Sequence, residues 1–149
     1  MANQPRTRAA NTVDEYSLDD QIGFILRKVS QRHTAIFAAA FGSDLTAPQW
    51  ATLAKLYESG PTSQNQLGRL VALDAATIKG VVDRLGARGL TETSPDPDDA
   101  RRVRVALTEA GRKEAERGFA TAAAITEETL APLDAGQRAQ LIALLKALS

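Results

Sequence analysis

The stretch that follows Asp74 combines small side chains with one long cation, a combination suited to the edges of nucleic-acid bases. The residues concerned are Ala75, Ala76, Thr77, Lys79 and Gly80. Small side chains allow close approach to base edges and thymine methyl groups, while Lys79 can reach a guanine or a phosphate. Arg84 adds a cation farther along. Taken alone, these residues are equally compatible with an ordinary amphipathic surface helix.

The loop of residues 96–102 is a second candidate for contact with nucleic acid, because it carries Arg101 and Arg102. Arginines at the tip of a hairpin can enter a minor groove or bind phosphates. Asp99 can hold Arg101 in place through a charged hydrogen bond two residues away. The alternative is a polar β-turn of balanced charge, since three aspartates offset the nearby arginines.

Catalytic and metal-binding chemistry finds little support in the sequence. His33 is the one histidine, cysteine is absent, and no Ser-His-Asp set or metal-ligand spacing can be assembled around that histidine. We therefore predict no enzyme, no metal site and no cofactor. Eighteen basic residues balance eighteen acidic ones, so any contact with DNA must depend on where the positive charge lies.

The elements that would position these residues are mainly helices. Apolar residues at a 3.6-residue spacing predict a first helix over residues 21–41, with Ser17 as its N-cap. Further capping residues predict helix starts at Thr46, Ser63, Asp74, Thr108 and Asp134. Alternating residues predict two strands, 90–93 and 103–107, on either side of the charged loop. The predicted order is ααααββαα, a mainly α fold with a small β-hairpin wing.

The chain is expected to form a single domain over residues 14–149. Residues 1–13 are polar and aperiodic, which predicts a flexible N-terminal arm. No apolar run approaches the roughly 20 residues that a membrane span needs, and no segment resembles a signal peptide. We therefore expect a cytoplasmic protein without a membrane partner.

Several short motifs occur in one order along the chain. They are Leu67-Gly-Arg-Leu70, Asp74-Ala-Ala-Thr77, Val82-Asp-Arg-Leu85, Arg88-Gly-Leu90, Asp96-Pro-Asp-Asp99 with Arg101, and Leu107-Thr-Glu-Ala-Gly111. Together they resemble the MarR family of bacterial transcription regulators, and the resemblance covers nearly the whole chain. The sequence departs from that family at Asp98 and Ala100, where many relatives carry basic residues. Whether Arg101 or Arg102 enters the minor groove is therefore left open.

The resemblance implies a two-fold homodimer that binds pseudo-palindromic double-stranded DNA. Helices within residues 17–42 and 109–149 would interlock between subunits, and residues 46–108 would form the winged helix-turn-helix. The predicted dimer contacts are Leu141, Leu144, Leu145 and Leu148. A monomer of this size would leave much of this apolar ladder in water, which supports the dimer. Packing of the ladder into the core of its own chain is the alternative.

The resemblance also places an effector pocket between the dimer helices and the winged helix. The first helix carries Arg27, Arg32 and His33 and no acidic residue, so its cations can pair with a carboxylate or a phosphate. Trp50 on the second helix offers a flat apolar wall. The alternatives are a satisfied core histidine for His33 and plain core filling for Trp50.

The string Gly23-Phe-Ile-Leu-Arg27 with Gln31-Arg-His33 is similar to family members that respond to aromatic acids or their coenzyme A thioesters, including regulators of hydroxycinnamate and nicotinate degradation. The implied function is a sequence-specific DNA-binding transcription regulator, a repressor that a small aromatic or anionic ligand releases from its operator. The alternative is a DNA-binding regulator, or an architectural or interaction module, that has no small-molecule effector.

Overall fold

The computed structural model of the chain describes residues 15–149, and so the predicted flexible arm, 1–13, lies outside the described residues. A 3₁₀ helix at Leu18–Asp20 is followed by α1 (Ile22–Phe41), α2 (Ala47–Ser59), β1 (Thr62–Ser63), α3 (Gln64–Leu70), α4 (Ala75–Ala87), β2 (Thr91–Pro95), β3 (Val103–Leu107), α5 (Glu109–Leu130) and α6 (Ala135–Ala147). Within this part of the chain the architecture is mainly helical with one small antiparallel sheet, which confirms the predicted fold class.

Side-chain caps start five of the helices where the sequence predicts them, at Thr46, Ser63, Asp74, Thr108 and Asp134. Each capping oxygen accepts a hydrogen bond from a backbone N–H of the first turn, which would otherwise have no partner. Thr46 and Asp134 form full capping boxes with a glutamine three residues later. Because these hydrogen bonds are local, the helix starts can be predicted from the sequence.

The predicted start of the first helix at Ser17 is wrong. Ser17 precedes the 3₁₀ helix, its side chain makes no capping hydrogen bond, and α1 begins only at Ile22. Gln21 has extended backbone angles, φ −81° and ψ 129°, which separate the two helical segments. The Gln21 side-chain amide donates to the Ser17 carbonyl at 2.8 Å and closes the turn between them.

The sheet has three strands instead of the predicted two-stranded hairpin. β3 pairs antiparallel with both β1 and β2, giving the order β1-β3-β2. β1 has only two residues, too few for the alternation that identifies a strand in a sequence. β2 runs later than predicted, to Pro95, which pairs with Val103 at the end of the strand where a missing N–H costs least.

Two buried clusters hold α4 against the rest of the molecule. Val81 and Leu85 belong to a cluster shared with α1, α2 and α5, while Ile78 and Val82 belong to one shared with α2, α3 and β3. All four side chains are at most 2% exposed. Because these four side chains bury one face of α4 in the core, the opposite face is exposed to solvent in a defined orientation.

Many large apolar residues near the two ends of the described chain lie outside this core. These exposed residues are Ile22, Ile25, Leu26 and Val29 in α1, Ile142, Leu144 and Leu145 in α6, and Leu148 directly after α6. Leu141 is half-buried, and α6 contains no buried residue. The ladder of leucines is thus not packed into the core of its own chain. No helix within residues 15–149 has the length and apolarity that a membrane crossing requires.

Candidate functional site

The first turn of α4 presents the small residues that the sequence singles out. Asp74 Oδ1 accepts a hydrogen bond from the Thr77 backbone N–H at 2.7 Å, and bonding to the Thr77 backbone and hydroxyl lowers the pKa of the Asp74 carboxyl. Ala75, Ala76 and Thr77 are exposed next to this cap. A capped helix end whose exposed side chains are small can approach a flat or grooved surface closely.

The cations of α4 are engaged with their own helix. Lys79 Nζ lies 2.6 Å from Asp83 Oδ2, one helical turn away, and both side chains are exposed. The Arg84 guanidinium lies over Gly80, where its nitrogens stand 3.4 Å from the position that a Cβ would occupy. Asp83 therefore offsets part of the charge that Lys79 offers to a phosphate or a base.

The wing, residues 91–107, is organised around Asp99. Its Oδ1 accepts from the Arg101 backbone N–H at 3.0 Å and from Arg101 Nε at 3.2 Å, as predicted. Its Oδ2 lies 3.7 Å from Arg102 Nε. The hydrogen bonds from Arg101 hold the pKa of the Asp99 carboxyl below its usual range, with a further contribution from the charge of Arg102. Both arginines are exposed beside this brace.

Sequence reasoning missed two further polar residues beside the wing, Asn65 and Arg69 on α3. A polar cleft of about 320 Å³ is lined by both of them together with Arg101 and Arg102. The signal that could have identified them is their four-residue spacing, which puts both on one face of the helix that precedes α4.

Arg32 and His33 contact the end of α5. Arg32 donates to the carbonyl oxygens of Thr129 at 2.7 Å and Glu128 at 2.9 Å, while His33 Nδ1 lies 2.9 Å from Thr129 Oγ1. A cation at the last carbonyls of a helix also interacts favourably with the helix dipole. We call these contacts the α1–α5 clamp. Arg32, predicted to bind a ligand, is occupied by backbone carbonyls in this structure.

An apolar cavity of about 270 Å³ lies where the end of α1 meets the start of α2, and His33 is one of its lining residues. Phe37 and Leu45 are among its apolar lining residues. His33 is exposed, so it is not the buried core histidine that the alternative interpretation describes. Arg27 is exposed nearly two turns before His33 and makes no hydrogen bond or ion pair with another described residue.

Trp50 is not among the residues that line this cavity. Its ring packs between Phe41 at 5.4 Å and Phe119 at 5.5 Å, centroid to centroid. It also contacts Gly118 so closely that a Cβ there would overlap the indole. The structure therefore gives Trp50 the core-filling role, and of the four predicted ligand residues it brings only His33 to the cavity.

Within residues 15–149, no group of three or more His, Cys, Asp or Glu side chains is placed to hold a metal ion. The arrangement instead joins a small-residue helix end, a braced pair of arginines and an apolar cavity. These features suit binding of a grooved polyanion and of a small apolar molecule.

Comparison with known proteins agrees with this arrangement. The sequence profile of the MarR family matches residues 45–103. The chain is similar to the transcriptional repressor NicR of Pseudomonas putida, with 44% identity over 132 residues that span 88% of this chain and 84% of that repressor.

Two solved structures are also similar. A probable transcriptional regulator from Pseudomonas aeruginosa is 56% identical, with a TM-score of 0.86 over 89% of this chain and 100% of that one. BpsR of Bordetella bronchiseptica, whose DNA binding is regulated by 6-hydroxynicotinic acid, is 38% identical, with a TM-score of 0.87 over 89% of this chain and 96% of that one. From its sequence and its fold, this chain belongs to the MarR family of winged helix-turn-helix, DNA-binding transcription regulators.

Proposed function

We propose that the protein is a homodimeric repressor whose binding to a pseudo-palindromic operator is released by a small aromatic carboxylate. The observation that carries this proposal is the apolar cavity at His33, on a helix whose charged residues are all cations. An apolar wall accommodates a ring, and the imidazole of His33 at the cavity edge can donate a hydrogen bond to a carboxylate.

The size of the cavity favours a single-ring ligand. Its volume of about 270 Å³ exceeds that of a benzene-sized cavity, roughly 150 Å³, but cannot enclose a nucleotide-bearing thioester. A coenzyme A thioester could insert only its acyl ring into one subunit's cavity. BpsR supports the choice, because 6-hydroxynicotinic acid is one ring with one carboxylate and regulates its DNA binding.

His33 is the residue that we expect to contact the carboxylate. Its Nδ1 already faces Thr129 Oγ1, which leaves Nε2 as the ring nitrogen available to a ligand. Arg27 does not line the cavity of this subunit, and Arg32 acts through the α1–α5 clamp. This division of roles refines the predicted set of Arg27, Arg32, His33 and Trp50.

The dimer would form through the exposed apolar residues of α1 and α6. A two-fold dimer presents two copies of α4 and two wings, and both copies of α4 must meet the major groove in register about one helical turn apart. Ligand binding beside α1 would favour a dimer with a different separation of these helices. Both half-sites would then weaken together.

Two further expectations belong to this function. A repressor acts where the chromosome is, which for a bacterial protein is the cytoplasm. It also needs no catalytic group, in agreement with the family and with relatives that are transcription regulators.

The proposal is tested by thermal unfolding of the purified protein with a panel of single-ring acids, including 6-hydroxynicotinic acid. A ligand that binds only the folded state raises the midpoint of unfolding. The same acids should release the protein from DNA that is selected from its own genome. Operator binding without any stabilising acid would favour the alternative regulator that has no effector.

A further inference from the structure

The surface between α3 and the wing contains a cleft that the proposed function does not use. Its polar walls come from Ser63, Gln64, Asn65 and Arg69 on one side and from Arg101 and Arg102 on the other. No acidic side chain from residues 15–149 lines the cleft, whose volume is about 320 Å³. Three guanidinium groups around one concavity favour an anion, and arginine's planar fork suits phosphate oxygens in particular.

Arg69 differs from the two arginines of the wing. Arg101 and Arg102 both lie near Asp99, at 3.2 Å and 3.7 Å, so that carboxylate offsets part of their charge. Arg69 makes no ion pair with any residue of the described chain and is exposed. Its guanidinium can therefore bind an anion without first losing a carboxylate partner.

Arg69 and Asn65 also line a second concavity, which leads to the start of α4 at Asp74 and Ala75. The two residues are four apart in α3 and share one face of that helix. They consequently stand between the two elements that contact DNA, with the wing on one side and the first turn of α4 on the other.

Double-stranded DNA has a corresponding feature between its grooves. A helix in the major groove and a wing in the neighbouring minor groove are separated by one sugar-phosphate backbone. We infer that the cleft binds a phosphodiester of that backbone, with Arg69 as the charged contact and Asn65 as a hydrogen-bond donor. This inference rests on the proposed DNA binding. It assigns α3 the task of setting the register of α4 and the wing, without reading bases.

The experiment measures the affinity of the wild type and of Arg69→Ala for an operator duplex and for a scrambled duplex, over a range of salt concentrations. We expect the loss of a charged hydrogen bond to weaken binding by roughly tenfold. The loss should be the same for both duplexes, because a phosphate contact does not depend on sequence. The slope of log K against log salt should become shallower by about 0.9 for each lost contact, that is by nearly 2 for a dimer. Arg69→Lys, which keeps the charge, should retain most of the slope.

Arg117→Ala is the matched control, because it removes the same type of side chain from α5, none of whose residues lines the cleft. Its affinity and salt slope should equal those of the wild type. A second duplex carries one neutral methylphosphonate between the major-groove and minor-groove contacts. The wild type should bind this duplex more weakly than ordinary DNA, whereas Arg69→Ala should bind the two duplexes equally well.

Three results separate the possible failures. If Arg69→Ala leaves affinity and slope unchanged while Arg101→Ala loses binding, the cleft inference is wrong and the DNA-binding function stands. If the wild type prefers no sequence at all, the proposed function is wrong. If inorganic phosphate without DNA stabilises the wild type but not Arg69→Ala, and the salt slope is unchanged, the cleft is a site for a small free anion and the inference is overturned.

Discussion

At the scale of single residues, Gly118 lets α5 pack closely against α2 because it has no side chain. A Cβ at this position in α5 would overlap the Trp50 ring on α2. We expect Gly118→Ala to lower the free energy of unfolding by about 1–3 kcal/mol, although alanine favours a helix by about 1 kcal/mol. Urea denaturation measures the change.

Gly86→Ala in α4 is the control for Gly118. A Cβ there would lie 3.8 Å from the Thr91 carbonyl oxygen, an ordinary contact. This variant should be neutral or more stable than the wild type. If both glycine variants lose stability equally, close packing against Trp50 is not the reason.

Asp74 provides a residue-scale prediction about pH. Because hydrogen bonds from Thr77 lower the pKa of its carboxyl, the folded protein binds a proton there less readily than the unfolded chain does. Its stabilising contribution is therefore complete above the ordinary value of 3.8 and is lost as the pH falls through the lowered pKa. Asp74→Asn keeps a capping oxygen but cannot titrate.

The midpoint of thermal unfolding, measured between pH 3 and 7, checks this. The wild type should have a higher unfolding midpoint than Asp74→Asn at neutral pH. The difference between the two midpoints should shrink as the pH falls. Asp74→Ala, without any capping oxygen, should be lower by roughly 2–4 °C at neutral pH. Parallel wild-type and Asp74→Asn profiles would show that the charge of this cap adds nothing.

At the scale of elements, α4 carries a charge pair that competes with DNA. Asp83 offsets part of the charge that Lys79 offers to a phosphate or a guanine. We expect Asp83→Asn to tighten DNA binding a few-fold, because it frees Lys79 and removes a negative charge. Lys79→Ala should weaken binding, and in the double variant the gain from Asp83→Asn should shrink. A mobility-shift titration on one operator measures all four proteins.

An unchanged gain in the double variant would mean that Asp83 acts only through its own repulsion of phosphates. In that case the ion pair with Asp83 would not limit the contact of Lys79 with DNA, and the loss in Lys79→Ala alone would measure that contact. The pair at 2.6 Å is exposed, so its disruption should cost little stability.

The helix starts and the brace at Asp99 could be predicted because each depends on residues within three positions of one another. Ser17 misled the prediction, since a capping residue does not fix how far the helix that follows it extends. β1 and the role of Arg32 could not be predicted, because both depend on partners distant in the chain. Arg32 meets residues 96 and 97 positions away. The close approach of Trp50 to Gly118 is equally non-local.

At the scale of the whole molecule, the exposed leucines of α6 predict a dimer. Leu144 is 56% exposed, although it sits in a row of leucines typical of a helix interface. Leu144→Glu should convert the dimer to monomers in analytical ultracentrifugation, since it would bury a carboxylate against the partner. Operator affinity should then fall by more than tenfold, because one half-site binds without the other.

Leu70→Glu in α3 is the control for Leu144, with a side chain that is 45% exposed. It should remain a dimer, because α3 lies outside the apolar faces of α1 and α6. A Leu144→Glu protein that stays dimeric would place the interface elsewhere on the chain.

The α1–α5 clamp joins the cavity to the dimer-forming end of the molecule. Arg32 holds the last carbonyls of α5 at 2.7 Å and 2.9 Å, and α6 begins only a few residues later. We therefore expect Arg32→Ala to be stabilised by the effector acid as wild type is, yet to release the operator poorly. His33→Ala should lose the stabilisation itself, because it lacks the carboxylate contact. Thermal shift measures binding of the acid, and mobility shift on the same proteins measures release of the operator. If the acid no longer stabilises Arg32→Ala, Arg32 contacts the ligand, as predicted from the sequence.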